Sequence, residues 1–142
     1  MMDREELKGI IKEIILERLR TKDTNIRRFS IIYAHLLKFV LLDPQSGSWV
    51  GSICEQQRKL IKSVNENNLK FAKSHLQDII NGAIEIFLDD NKTYPVENIT
   101  FYYIDQHFTC LEDILDKNKM KEFLLEFCRY ENVRKSIMSQ FS

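Results

Sequence analysis

Glycine and proline are scarce, four and two in 142 residues. An all-β fold needs many turns built from those residues, and a linker-rich disordered chain is enriched in them, so neither describes this protein. Cysteine is equally sparse, and Cys54, Cys110 and Cys128 form an odd set with no CxxC spacing. Such a set does not make a disulfide framework and predicts free, buried thiols in a reducing compartment. Charge interrupts every apolar run before the ~18 residues that a membrane-spanning helix requires. Charge of one sign is also lacking: Lys plus Arg equals Asp plus Glu at 21 each. The whole molecule therefore exerts no general attraction on nucleic acid or anionic lipid. The amino terminus, Met-Met-Asp-Arg-Glu-Glu, is acidic and has no signal-type apolar core, so the expected location is cytoplasmic.

What is present is helical periodicity. With 44% apolar and 30% charged residues, 142 residues suffice for a single domain with its own core, without metal or disulfide support. Asp3 with Glu6 reads as a capping box, followed by Leu7, Ile10, Ile11, Ile14, Ile15 and Leu19 at spacings of three and four. This predicts a first helix from Arg4 to Arg20, a break at Thr21-Lys22-Asp23-Thr24, and a broad-faced second helix from Ile26 to Val40. Pro44 and Gly47 separate it from a third helix capped by Ser48 and running from Trp49 to Val64. After the polar turn Asn65-Glu66-Asn67-Asn68, a fourth helix spans Leu69 to Leu88. The segment from Thr93 to Phe108 is irregular and aromatic, and reads as a long connection rather than a sheet. Thr109 with Glu112 reads as a capping box for a short helix, and one last helix occupies about 118–140. The expected fold is thus an all-α compact bundle of about five to six helices, residues 1–142 forming one domain.

Four motifs in order carry a family resemblance: His35-Leu36-Leu37-Lys38-Phe39, Ser48-Trp49, Ile53-Cys54-Glu55-Gln56 and Thr109-Cys110-Leu111-Glu112-Asp113-Ile114-Leu115-Asp116. Together they resemble the Domain of Unknown Function 29 family over about residues 10–116, leaving the last helix as an addition. The resemblance implies a bacterial-type helical bundle without an established activity. The chain departs from the family pattern at Phe39, where a tryptophan is usual, and at Gln57, where an arginine normally follows the Glu-Gln pair.

Three groups of residues are candidates for function. His35, Lys38, Ser48, Trp49, Glu55, Gln56 and Arg58 form a polar cluster across one helix-turn-helix, suited to a small anion or a partner's carboxylate. The same residues have a structural account, with Ser48 as a cap, Trp49 as an anchor and His35 as a satisfied core histidine. Tyr94, Phe101, Tyr102, Tyr103 and Phe108 are too many aromatics in one segment for easy burial, and offer either an interface or a closure for the open end of the bundle. Glu112, Asp113 and Asp116, with Asp89, Asp90, Glu97 and Asp105, offer an acidic face.

Catalysis has little support. His35, His75 and His107 lie on separate segments, and HExxH, GxSxG and glycine-rich phosphate loops are absent. His107 and Cys110 would supply only two of the four ligands of a structural zinc site, and Cys54 reads as packing rather than as a nucleophile beside His35. No cofactor or metal is expected. A basic edge from Arg18, Arg20, Lys22, Arg27, Arg28, Arg58, Lys59 and Lys62 makes nucleic-acid contact a weaker reading. The leading expectation is a non-catalytic cytoplasmic interaction domain that binds a protein partner or self-associates. Its alternative is an antidote or inhibitor of a toxin or defence nuclease.

Overall fold

The computed structural model describes residues 3–43 and 47–142, with the backbone alone at residue 15 and residues 17–21. The described residues form seven α-helices and two 3-10 turns, with no strand. The helices are α1 (Arg4–Leu41), α2 (Ser48–Ser63), α3 (Glu66–Ser74), α4 (Leu76–Asp90), α5 (Tyr102–His107), α6 (Lys117–Phe127) and α7 (Glu131–Gln140). The 3-10 turns are Val96–Asn98 and Leu111–Leu115. The all-helical class agrees with the periodicity, but the count exceeds the five to six helices expected.

The first correction concerns α1, one helix of 38 residues where a break at Thr21–Thr24 was expected. Capping side chains act only where the backbone leaves the helical basin, and this stretch has neither glycine nor proline to force it out. Asp3 does cap the helix, its carboxylate accepting from the Glu6 amide at 2.8 Å. The second correction divides the expected fourth helix at His75. There the Ser74 hydroxyl donates to the Phe71 carbonyl at 2.7 Å and the His75 ring lies 2.9 Å from the same oxygen, drawing that carbonyl away from the helical ladder. The polar turn before α3 is a reciprocal capping box between Asn65 and Asn68.

The expected connection at 93–108 contains the first 3-10 turn and α5. The last helix is interrupted by extended residues Cys128 and Tyr130, which let α7 fold back onto α2. Ser48 is the first residue of α2, and Gly47 holds the cap position. The Thr109–Glu112 box is replaced by Thr109 donating through its amide and hydroxyl to Asp113. The expected helix stop at Pro44 lies outside the described residues, as do the side chains of Ile15, Arg18, Leu19 and Arg20.

Apolar spacing explains the packing. From α1, Phe29, Ile32, Leu36, Leu37 and Phe39 are buried against Ile53 and Leu60 of α2 and Ile79, Ala83 and Phe87 of α4. Each such side chain contributes about 1.5–3 kcal/mol on removal from water. Around residues 32–39 nearly every side of α1 is covered, which makes it the central helix. Its amino-terminal half differs: residues 3–14 are all exposed, so this part extends beyond the bundle. Gln57, buried among the apolar residues of α2, donates to the Ile114 carbonyl at 2.8 Å and ties the second 3-10 turn to the core.

Helices α1 and α4 come into close contact at Ser30 and Gly82. The Ser30 hydroxyl donates to the Ile79 carbonyl at 2.9 Å, and a Cβ on Gly82 would lie 2.7 Å from that hydroxyl oxygen. Gly82→Ala is expected to destabilise the fold by about 1 kcal/mol, since overpacking outweighs the gain in helix propensity. Ser30→Ala in the same chain removes the hydroxyl contact and leaves a tighter-than-usual 3.2 Å contact to its Cβ, so it should bring Gly82→Ala closer to neutral. A double-mutant cycle in urea denaturation checks this; additive effects of the two substitutions would refute it.

Candidate functional site

Structure separates the polar cluster into an inner and an outer part. Lys38 projects from the most covered stretch of α1, with its side chain only 7% exposed, and pairs with Asp90 at the end of α4 at 2.5 Å. Its ammonium also lies 5.9 Å from the Trp49 ring centroid, within cation-π range. His35, one turn earlier, is largely buried, and its Nδ1 has no hydrogen-bond partner among the described residues. Burial, followed by the Lys38 charge, lowers the His35 pKa to about 4, so the ring is neutral at physiological pH. On α2, Glu55 and Arg58 are exposed, and Glu55 pairs with Lys59 at 3.0 Å along its own helix. The Lys59 hydrogen bond holds the Glu55 carboxyl below its usual range. Gln56 is half-buried, and the residue of this run that points into the core is Gln57. The Lys38-Asp90-Trp49 contacts therefore join α1, α2 and α4, and leave the Lys38 ammonium little access to an external ligand.

The acidic candidates are engaged within the chain. Asp113 receives the Lys119 ammonium at 2.7 Å and the Thr109 amide and hydroxyl, which together hold its pKa down to about 2. Asp116 caps α6 by accepting from the Asn118 and Lys119 amides. Glu112 pairs with Lys73 of α3. From the basic edge, Lys22 lies over the Phe71 ring at 4.8 Å and Lys59 is held by Glu55.

The aromatic segment divides by depth. Phe108 is core, 3% exposed and packed on Phe123. Tyr94 stands edge-on to Phe87 at 5.1 Å and Phe101 edge-on to Tyr33 at 6.3 Å, both half-buried. Tyr102 and Tyr103 remain on the surface, 61% and 44% exposed. They stand edge-to-face at 5.3 Å, with Tyr103 braced on Phe127. One aromatic segment thus both closes the bundle and presents two ordered rings.

Beside them lies a cavity of about 230 Å³ between α1, α4 and α5, lined by Tyr33, Leu76, Ile80, Phe101, Asp105 and Phe108, and continuing to Leu111. Of these the sequence reading singled out Phe101, Phe108 and Asp105 but did not join them. Leu76 and Ile80 carry a readable signal, an i, i+4 pair beside the buried Ile79 line, whereas Tyr33 looks like any other core position.

Cys54, Cys110 and Cys128 are free thiols, but none is fully buried as expected: Cys54 and Cys128 are half-buried, and Cys110 is exposed because it sits on the turn before Leu111 rather than inside a helix. His107 faces Glu126 at 2.8 Å rather than Cys110. Among the described residues no three His, Cys, Asp or Glu side chains gather in a metal-sized group, and no helix is long and apolar enough to cross a membrane. The chain matches no family model, and no curated protein or solved structure matches it significantly.

The neutral His35 generates a pH dependence. In the unfolded chain its ring takes up a proton as pH falls through about 6.5, whereas in the folded protein it does so only near 4. Stability is therefore fully present above pH 6.5 and is lost as pH falls toward 4, by roughly 2–3 kcal/mol after allowance for partial exposure. Chemical denaturation across that window should show this slope in the wild type and a flatter profile in His35→Leu; equal slopes would refute the assignment. In the same assay Asp90→Ala, which strands the Lys38 charge, should cost about 1–2 kcal/mol, while Lys38→Met should be nearly neutral. Equal losses from the two substitutions would mean that the ion pair itself is stabilising.

Proposed function

We propose that this protein is a non-catalytic interaction domain that docks a protein partner on the face formed by α5 and its flanks. The observation that carries this reading is the exposure of Tyr102 and Tyr103 as an ordered edge-to-face pair beside an apolar cavity. Tyrosines supply large amphipathic contact area at low entropic cost, and they are enriched at the energetic centres of interfaces. The three free thiols support a cytoplasmic, reducing setting. The resemblance to the Domain of Unknown Function 29 family fits the reading as a statement about architecture. The antidote reading has less support, because Glu112, Asp113 and Asp116 already serve pairs and caps inside the chain.

A second observation favours self-association as the companion reading. Leu7, Ile10, Ile11 and Ile14 are each 41–50% exposed on the projecting half of α1. Their spacing of three and four places them on one face, an apolar stripe left exposed among the described residues.

Affinity capture from lysate of the protein's own host should recover a single stoichiometric protein. Tyr102→Ala/Tyr103→Ala should lose that protein while keeping wild-type helicity and cooperative melting. Retention by the double mutant would remove the α5 face from consideration, and collapse of its fold would assign the two rings to the core. Sedimentation of the purified chain tests the companion reading. Concentration-dependent association that Ile10→Glu/Ile14→Glu abolishes would support it, and a monomer at every concentration would end it.

A further inference from the structure

The cavity beside the tyrosine pair has a chemistry more particular than its apolar walls. Leu76 and Ile80 of α4 and Phe101 and Phe108 at the ends of α5 form those walls. Its lining also includes Thr109, whose hydroxyl donates to Asp113, and two further polar residues: Tyr33, only 4% exposed, with its hydroxyl, and Asp105, itself an exposed residue, with its carboxylate. Among the described residues neither the Tyr33 hydroxyl nor the Asp105 carboxylate makes a hydrogen bond or an ion pair. This separates Asp105 from Asp90, Glu112, Asp113 and Asp116, which are all engaged.

We propose that this cavity is an anchor pocket for a cationic side chain on an apolar stem, an arginine or a lysine of the partner docked on the α5 face. The inference rests on the docking reading and names the partner residue that the site takes. The volume decides the size of the occupant. At about 230 Å³ the cavity lies below the roughly 300–1,000 Å³ of drug-sized sites, and suits one side chain. The walls decide the stem, since methylene groups of arginine or lysine cover apolar surface while the head reaches a polar group. The head is decided by Asp105, an exposed carboxylate at the cavity whose charge is disfavoured by partial desolvation and paired with no cation among the described residues. A guanidinium or ammonium supplies that charge and donates to the carboxylate, and its remaining donors reach the Tyr33 oxygen. A neutral apolar anchor would fill the walls and leave the Asp105 carboxylate without a cation.

The test is a ¹H–¹⁵N NMR titration of the full chain with n-butylguanidinium, n-butylammonium and 1-pentanol, followed by the same titrations of Asp105→Asn. Saturable shifts at Tyr33, Ile80, Asp105 and Cys110 are expected with both cations, about tenfold tighter than with the alcohol. Asp105→Asn should abolish that preference and leave the alcohol titration unchanged. Alkylation of Cys110, read by peptide mapping, should slow when the cations fill the cavity. Equal binding of alcohol and cations, absence of saturation, or a preference that survives Asp105→Asn would overturn the proposal. Capture of the partner separates the two readings. A partner lost with Tyr102→Ala/Tyr103→Ala but held undiminished by Asp105→Asn leaves the docking face standing and removes the pocket. Cation-selective filling without capture of any partner upholds the pocket chemistry and removes the docking reading.

Discussion

The rest of the structure depends on the burial of one stretch of α1, from Asn25 to Phe39, between α2 and α4. Phe29, Ile32, Leu36 and Leu37 are fully removed from water there, and α3, α5, α6, α7 and the second 3-10 turn pack on this axis or on α2 beside it. The axis is placed by polar contacts at several depths: Ser63 donating to Asn25, Ser30 donating to Ile79, and Lys38 pairing with Asp90. These contacts do little to drive collapse. They set the register of α1 against its neighbours, because a shift of one residue would strand each buried polar group without its partner.

A central helix covered on most sides must place any polar residue it carries under cover. His35 and Lys38 follow from this. The histidine responds by staying neutral, and the lysine by finding a carboxylate and a ring face at the edge of the bundle. Both responses are those of structural groups. The α5 face shows the opposite arrangement, since Tyr102 and Tyr103 stay exposed and the exposed Asp105 pairs with no cation among the described residues. A protein that leaves such groups unmatched has not been optimised there for stability alone, and this contrast turns attention from the polar cluster to the aromatic face.

The projecting half of α1 poses a related physical question. A helix with solvent on all sides is held only by its own hydrogen bonds, its Asp3 cap and its continuity with the buried half. That continuity supplies the costly nucleation step, so the exposed turns propagate from a helix that the core has already formed. The apolar stripe thereby stands ready ordered, and an associating helix would meet a preformed surface.

Much of the architecture was legible in the sequence, because helical periodicity and the scarcity of glycine and proline are local properties. The all-α class, the cap at Asp3, the end of α2 near Val64 and the amphipathic faces of α2 and α4 all follow from residue spacing. Breaks and junctions were less legible. Thr21-Lys22-Asp23-Thr24 has the composition of a helix start, yet the helix runs through it, since flanking burial outweighs a local capping preference. Ser74 and His75 have no strong breaking tendency, yet they interrupt a helix by competing for one carbonyl. The candidate site divides in the same way. Tyr102 and Tyr103 announced themselves by aromatic density within one segment, whereas the cavity beside them draws on Tyr33, Leu76 and Asp105, which are far apart in the chain. The sequence by itself determined which segments are helical and which of their faces are apolar, because those are short-range matters of backbone geometry and side-chain period. Only the tertiary structure decided which polar residues are matched and which are left open, because pairing depends on what the packed helices bring within a few ångströms.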